Sequence, residues 1–162
     1  MKSALPLAAA VLLAVGGSAH AHGAAGRAAG ADPQTLETLF GRSGDPSRVS
    51  RIVQIHMSDA MRYSPDAIAV RQGETIRFVV RNGGRIMHEM VLGTERELQE
   101  HARLMKKHPG MVHDAPYMAH IGPGQRAEIV WQFTQAGDFK FACLLPGHWE
   151  AGMVGTVRVL AR

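Results

Sequence analysis

Asp138 to Leu160 read DFKFACLLPGHWEAGMVGTVRVL, and this stretch decides the fold. Its two ends alternate. Phe139, Phe141 and Cys143 fall on one face of the first segment, and Val157 and Val159 on one face of the last. A period of two in the apolar side chains marks a strand with one buried face. Between the strands runs a loop with the chain's single cysteine, a histidine five residues on and a methionine five beyond that. The tight LLPG turn brings His148 back toward the sulfur, and WEAG returns Met153 just before the final strand. A thiolate, an imidazole and a thioether thus gather at one end of a strand pair.

The same alternation recurs upstream. It places Val53, Ile55 and Met57 together in RIVQIHM, and Ile76, Phe78 and Val80 together in ETIRFVVR with Arg77 and Arg81 opposite. AEIVWQF repeats it with Ala127, Ile129, Trp131 and Phe133. Gly, Pro, Asn and Asp separate these runs, in SPD, RQGE, RNGG, GPGQ and QAGD. Many short strands with turns between them predict an all-β, antiparallel sandwich.

Two segments depart from that rhythm. TERELQEHARLMKKH has helical character, with Thr94 and Glu97 spaced as a capping box and His108-Pro109-Gly110 as the stop. A loop-rich stretch follows, so residues 94–124 are expected to form a helical and loop insertion between two strands. DPQTLETLFG reads as a short helix over 32–41, with Asp32 as N-cap, Pro33 in the first turn and Gly41 as the stop.

A chain of 162 residues, 46% hydrophobic and 20% charged, is long and apolar enough for one globular domain with a proper core. Residues 1–21 read as a cleavable signal peptide: Lys2 is its positive end, Leu5 to Val15 its apolar stretch, and Ala19-His20-Ala21 its small-x-small site. That apolar run is too short to cross about 30 Å of hydrocarbon, so no membrane span is expected in the mature chain. Residues 22–44 follow as a flexible N-terminal segment, Ala/Gly-rich at its start, and 45–162 as the folded domain. Export implies an oxidising compartment, where a lone cysteine is an intermolecular bridge, a reactive thiol or a metal ligand. The net charge of +4 includes Lys2, and neither an arginine-aromatic platform nor a helix-turn-helix is present, which excludes nucleic acid as the partner.

A fourth donor for the Cys-His-Met loop is offered by His88, in NGGRIMHEMVLG. Singly, each residue has a plainer reading: Cys143 as a small buried hydrophobe, Met153 as a core filler, His88 as a satisfied strand histidine. Jointly, two histidines, one cysteine and a weak methionine are the type 1 copper set. Thiolate and thioether favour Cu(I), and imidazole accepts either state. Zinc rarely recruits methionine, and its Cys₂His₂ or Cys₃His spacings are absent. A Cys-His nucleophile would lack an orienting third group.

FACLLPGHWEAGMVGTVRV, with MHEMVLG and MSDAMRYSPDAIAVRQGETIRFVVRNGG upstream, resembles the cupredoxins of the azurin, rusticyanin and plastocyanin kind. The match is closest to bacterial periplasmic cupredoxins associated with copper tolerance, and it covers residues 45–162. The resemblance implies a Greek-key β-sandwich with copper at one end and a periplasmic location. It implies His88, Cys143 and His148 as equatorial ligands and Met153 as the axial one. It also implies His148 nearest solvent, with the apolar LLPG rim as the electron entry point. One departure stands out: several family members place Asn directly after the first histidine ligand, where it ties the ligand loops together, and this chain has Glu89.

An electron carrier needs two histidines and one methionine, yet the chain has nine of each. His101, Met105, His108, Met111, His113, Met118 and His120 all fall in HARLMKKHPGMVHDAPYMAH. His101, Met105 and His108 share a helix face, and Asp114 would add a ligand for Cu(II). This cluster is expected to be a secondary copper site, the alternative being that Leu98, Ala102 and Met105 simply pack on the sandwich. HMSDAM adds His56, Met57 and Met61, with Met57 assigned to the core. Cleavage after Ala21 would give His22 an α-amine beside its imidazole, and cleavage after Ala19 would put it third; both arrangements chelate Cu(II).

The expected function is a periplasmic type 1 copper protein cycling Cu(I)/Cu(II) by one electron, in copper tolerance, with copper ions and periplasmic redox or copper-handling proteins as partners. It is a binding and electron-transfer protein rather than an enzyme, Cu(I) oxidation aside. The alternative is a plain electron shuttle with a structural insertion.

Overall fold

The structure is a computed structural model that describes residues 36–108 and 114–162. The expected signal peptide, the Ala/Gly tether, His22, Met111 and His113 lie outside the described residues.

Among the described residues, eleven strands form two sheets. The first holds β1 (Glu37–Thr38), β2 (Gly41–Ser43), β9 (Arg126–Gln132), β6 (Thr75–Asn82), β3 (Arg51–Ser58) and β4 (Arg62–Ser64), in that order. The second runs β5 (Ala67–Arg71), β11 (Val154–Leu160), β10 (Gly137–Ala142), β7 (His88–Gly93) and β8 (Met118–Ile121). The alternating residues meet between them. Ile55, Ile76, Phe78, Val80, Ile129, Trp131 and Phe133 from one sheet pack on Met90, Leu92, Phe139, Phe141, Val157 and Val159 from the other. Each such side chain contributes about 1.5–3 kcal/mol on burial, and together they fix the register, because a slip of one residue would expose the whole set.

The pairing is not wholly antiparallel, as the alternation suggested. β3 pairs with β6 in parallel from Arg51↔Ile76 to Met57↔Asn82, and β11 pairs with β5 in parallel. The cause is a crossover. After β4 the chain leaves the first sheet, forms β5 in the second and returns, so β6 runs in the direction of β3. This crossing between layers is the Greek-key element of the sandwich.

The helix expected over 32–41 is replaced, in its described part, by β1 and β2, and β2 joins the sheet through Arg42↔Gln132 and Ser43↔Trp131. Tertiary contact outweighs local propensity here. Phe40 stacks on Trp131 at 5.1 Å between ring centroids. Gly41 has φ 143°, and a Cβ there would stand 2.1 Å from the Gln132 carbonyl oxygen. Gly41 therefore permits a close strand approach and does not stop a helix. β1 and β2, ahead of residue 45, belong to the first sheet.

The insertion does contain its helix, α1 (Glu95–Lys107), with the Thr94/Glu97 capping box in both directions. Leu98 and Met105 bury against Val91, Met118, Ala142 and Leu144, and Ala102 and Trp149 pack alongside. α1 thus covers the outer side of β7, every residue of which is buried. The rest of the insertion is not all loop, because Met118–Ile121 form the edge strand β8 beside β7.

Candidate metal centre

His88 opens β7, directly after a turn organised by Asn82. The buried Asn82 amide donates to the carbonyls of Ile86 (2.8 Å) and Ile121 (2.9 Å), and its Oδ1 accepts the Gly84 N–H at 2.8 Å. Asp59, between β3 and β4, reaches into the same turn. Its Oδ2 accepts the Arg85 N–H at 2.8 Å, and its Oδ1 lies 3.1 Å from His88 Nε2. The Arg85 N–H is the main reason that the Asp59 carboxyl titrates below its ordinary value. A Cβ at position 84 would stand 1.9 Å from Asp59 Oδ1, so any larger residue there would have to displace the Asp59 carboxylate.

This contact engages Nε2 of His88 and leaves Nδ1 as the nitrogen that could bind a metal. With Nε2–H donating to the carboxylate, Nδ1 keeps its lone pair. Nδ1 lies 3.3 Å from His148 Nδ1, and His148 Nδ1 lies 3.2 Å from Cys143 Sγ. The three ligand atoms are all within 4.8 Å of one another. His88 and Cys143 are fully buried, and His148 is half-buried.

The loop from Cys143 to Met153 is closed by its own backbone. His148 N–H donates to Leu145, Met153 N–H to the His148 carbonyl at 3.0 Å, and Cys143 N–H to the Met153 carbonyl at 3.1 Å. Met153 is fully buried in the same core cluster as Cys143. Burial pushes the Cys143 thiol up to about 12, against the N–H of Glu89, which points at the sulfur from 3.4 Å. Burial, then the neighbouring His88, lowers the pKa of His148. The donors fit copper: a thiol that ionises only with a cation to stabilise it, two imidazole nitrogens within 4.8 Å of it and of each other, and a buried methionine at the end of the same loop.

Glu89 takes the place that Asn holds in several cupredoxins, and it is 1% exposed. Its Oε1 accepts the Leu144 N–H at 2.7 Å, tying β7 to the residue after the thiol. Its Oε2 lies 2.9 Å from Nε2 of His120, its register partner on β8. The Tyr63 hydroxyl donates to its backbone carbonyl at 2.6 Å.

Further supports went unread in the sequence. Arg62 Nη1 donates to the Ala151 carbonyl at 2.7 Å, inside the ligand loop. Lys106 on α1 pairs with Glu150, and Trp149 packs on the α1 cluster. Asp59 stands in HMSDAM, beside Met57 and Met61. An acid at a strand turn is common, and nothing in the sequence tied it to His88.

The described residues of the expected secondary cluster have different surroundings. Met105 and Met118 are buried in the α1 cluster. His101 lines an apolar cleft of about 460 Å³ with Phe40, Leu104 and Tyr117. His108 caps α1 and is exposed, as is Asp114. His120 sits against Glu89. Met57 is in the core, and His56 is exposed. Among the described residues, His88, Cys143 and His148 are the one group of three or more His, Cys, Asp or Glu that converges in this way.

The family model described as "Copper binding proteins, plastocyanin/azurin family" matches residues 50–160. The chain is 53% identical over 140 residues to the copper-resistant cuproprotein CopI of Rubrivivax gelatinosus, covering 86% of this chain and 84% of that one. It is 34% identical over 149 residues to the protein of the same name from Pseudomonas aeruginosa, covering 74% and 82%. Among solved structures, auracyanin B superposes with a TM-score of 0.63 at 17% identity, covering 75% of this chain and 96% of that one. The reduced auracyanin of Roseiflexus castenholzii gives 0.59 at 21% identity, covering 69% and 98%.

Proposed function

We propose, from the premise that this chain belongs to the plastocyanin/azurin family of copper-binding proteins, that His88, Cys143, His148 and Met153 hold one copper ion for copper tolerance in the periplasm. The convergence of His88 Nδ1, His148 Nδ1 and Cys143 Sγ within 4.8 Å carries this reading. Copper, when bound there, supplies a one-electron Cu(I)/Cu(II) couple. The chain's residues do the rest. Asp59 orients His88, the Glu89 N–H stabilises the thiolate, and buried Met153 and Leu144 exclude water from the sulfur. His148 is the ligand that solvent reaches. Exposed Ile86 and Met87 lie just before His88 in the chain, and with the LLPG rim they offer an apolar surface for a redox or copper-handling partner.

The names of the relatives, copper-resistant cuproproteins, support the tolerance setting. Under this reading the exposed His108 of the insertion, together with His22, Met111 and His113, binds further copper. A second reading, the plain electron shuttle, is favoured by one observation: Met105 and Met118 turn into the core, which gives the insertion a structural purpose.

Copper titration of the mature protein, with bound metal counted and the visible spectrum recorded, separates these readings. An intense thiolate-to-copper band saturating at one equivalent, with further copper bound beyond it, supports copper handling. One copper in total supports the shuttle. Absence of the band overturns the type 1 assignment.

A further inference from the structure

The carboxylate of Glu89 is held in an unusual bridge. It is buried in a strand covered on both sides, one oxygen fastened to the peptide that follows the thiol and the other set against an imidazole on the neighbouring strand. An amide one methylene shorter could tie Leu144, but it would bring no charge and would fall short of His120. A buried acid is costly unless it is paired or hydrogen-bonded. Its position beside the Cys143 sulfur, with His120 at register distance, points to a use for the charge itself.

Building on the type 1 reading, we propose that Glu89 and His120 form a positioning pair that sets the balance of the centre between Cu(II) and Cu(I). Glu89 fixes the thiolate through Leu144 N–H and its own N–H, and its negative charge favours the more positive metal state. His120, 23% exposed at the side chain, offsets part of that charge from the side where the insertion returns to the sheet. The pair thereby links β8, the strand that closes the insertion, to the peptide next to the ligand sulfur.

The two members act with opposite sign, and the test exploits this. In the copper-loaded mature chain, Glu89→Gln keeps an acceptor for Leu144 and removes the charge. The ratio of Cu(II) to Cu(I) affinity should fall about tenfold or more, read as a rise in reduction potential of about 59 mV for each factor of ten. His120→Gln removes the offset, and the ratio should move the other way, by about threefold or more. Both variants should keep the thiolate band. A structural role alone would loosen the site in both variants and move the ratio in one direction. Shifts of the same sign, or Glu89→Gln within twofold of the parent, would overturn the proposal. If Glu89→Gln fails to fold, the sign of the His120→Gln shift decides. A parent protein without a thiolate band would instead overturn the type 1 reading beneath it.

Discussion

Asp59 Oδ1 and His88 Nε2 stand 3.1 Å apart, across a turn in which a side chain at Gly84 would collide with the Asp59 carboxylate. The carboxylate fixes the tautomer of the imidazole and turns Nδ1 inward. Contacts of this kind behind a ligand change metal affinity by about 10- to 100-fold when lost. Gly84→Ala, which forces Asp59 aside, and Asp59→Ala should each lower copper affinity by that order in chelator competition. Affinity within twofold of the parent in both variants would show that the contact does not orient His88.

Cys143→Ser should remove the visible thiolate band and one equivalent of bound copper. The hydroxyl is close in size, so apo stability should change little. A retained band would place the coloured centre elsewhere.

Copper uptake should release one proton from Cys143. The thiol, pushed by burial to about 12, is protonated at neutral pH, and the thiolate is the ligand. Apparent affinity should therefore rise about tenfold per pH unit above neutrality. More steeply acidic behaviour should begin only below the ordinary imidazole range, because the pKa of His148 is lowered. For the apo protein the sign reverses. An acid whose folded pKa is raised stabilises the fold fully below its unfolded value near 9.0 and loses that advantage as pH climbs toward about 12. The loss approaches about 1.4 kcal/mol per pH unit. Denaturant titrations of the parent and Cys143→Ala should diverge in that window.

Met105→Ala should destabilise the apo protein by about 2–5 kcal/mol, since it empties a buried site under α1. It should leave the copper count unchanged. A lower count at intact stability would make Met105 a ligand and not a core residue. Under the copper-handling reading, replacing His101, His108, Met111 and His113 together should instead lower the count and leave the thiolate band intact; an unchanged count would place the further copper elsewhere.

The strands were legible because their buried face repeats every second residue. Phe139, Phe141 and Cys143 needed no context to be placed. The candidate loop stood out for a related reason: its three possible donors lie within eleven residues, and their spacing suggests the chemistry. The N-terminal strands were not. Leu36, Leu39 and Phe40 imitate a helix face, yet the two leucines are exposed and only Phe40 enters the core. That assignment depends on Trp131, far along the chain. Glu89 stood out as a departure, but its partners Leu144 and His120 become neighbours only when β7 is paired on both edges. β8 was hidden in a segment whose histidines and methionines suggested chemistry before structure.

The ligand loop has fasteners that it does not itself contain. Arg62 holds Ala151 from β4, and α1 holds the other flank through Lys106–Glu150 and Trp149. A transplant of residues 143–153 alone into another sandwich would carry the donors and leave both fasteners behind. The portable unit is larger: the loop, the arginine hairpin beneath it and the helix beside it. Deletions in the insertion should accordingly be felt in the colour of the centre, although α1 supplies it no ligand under the type 1 reading.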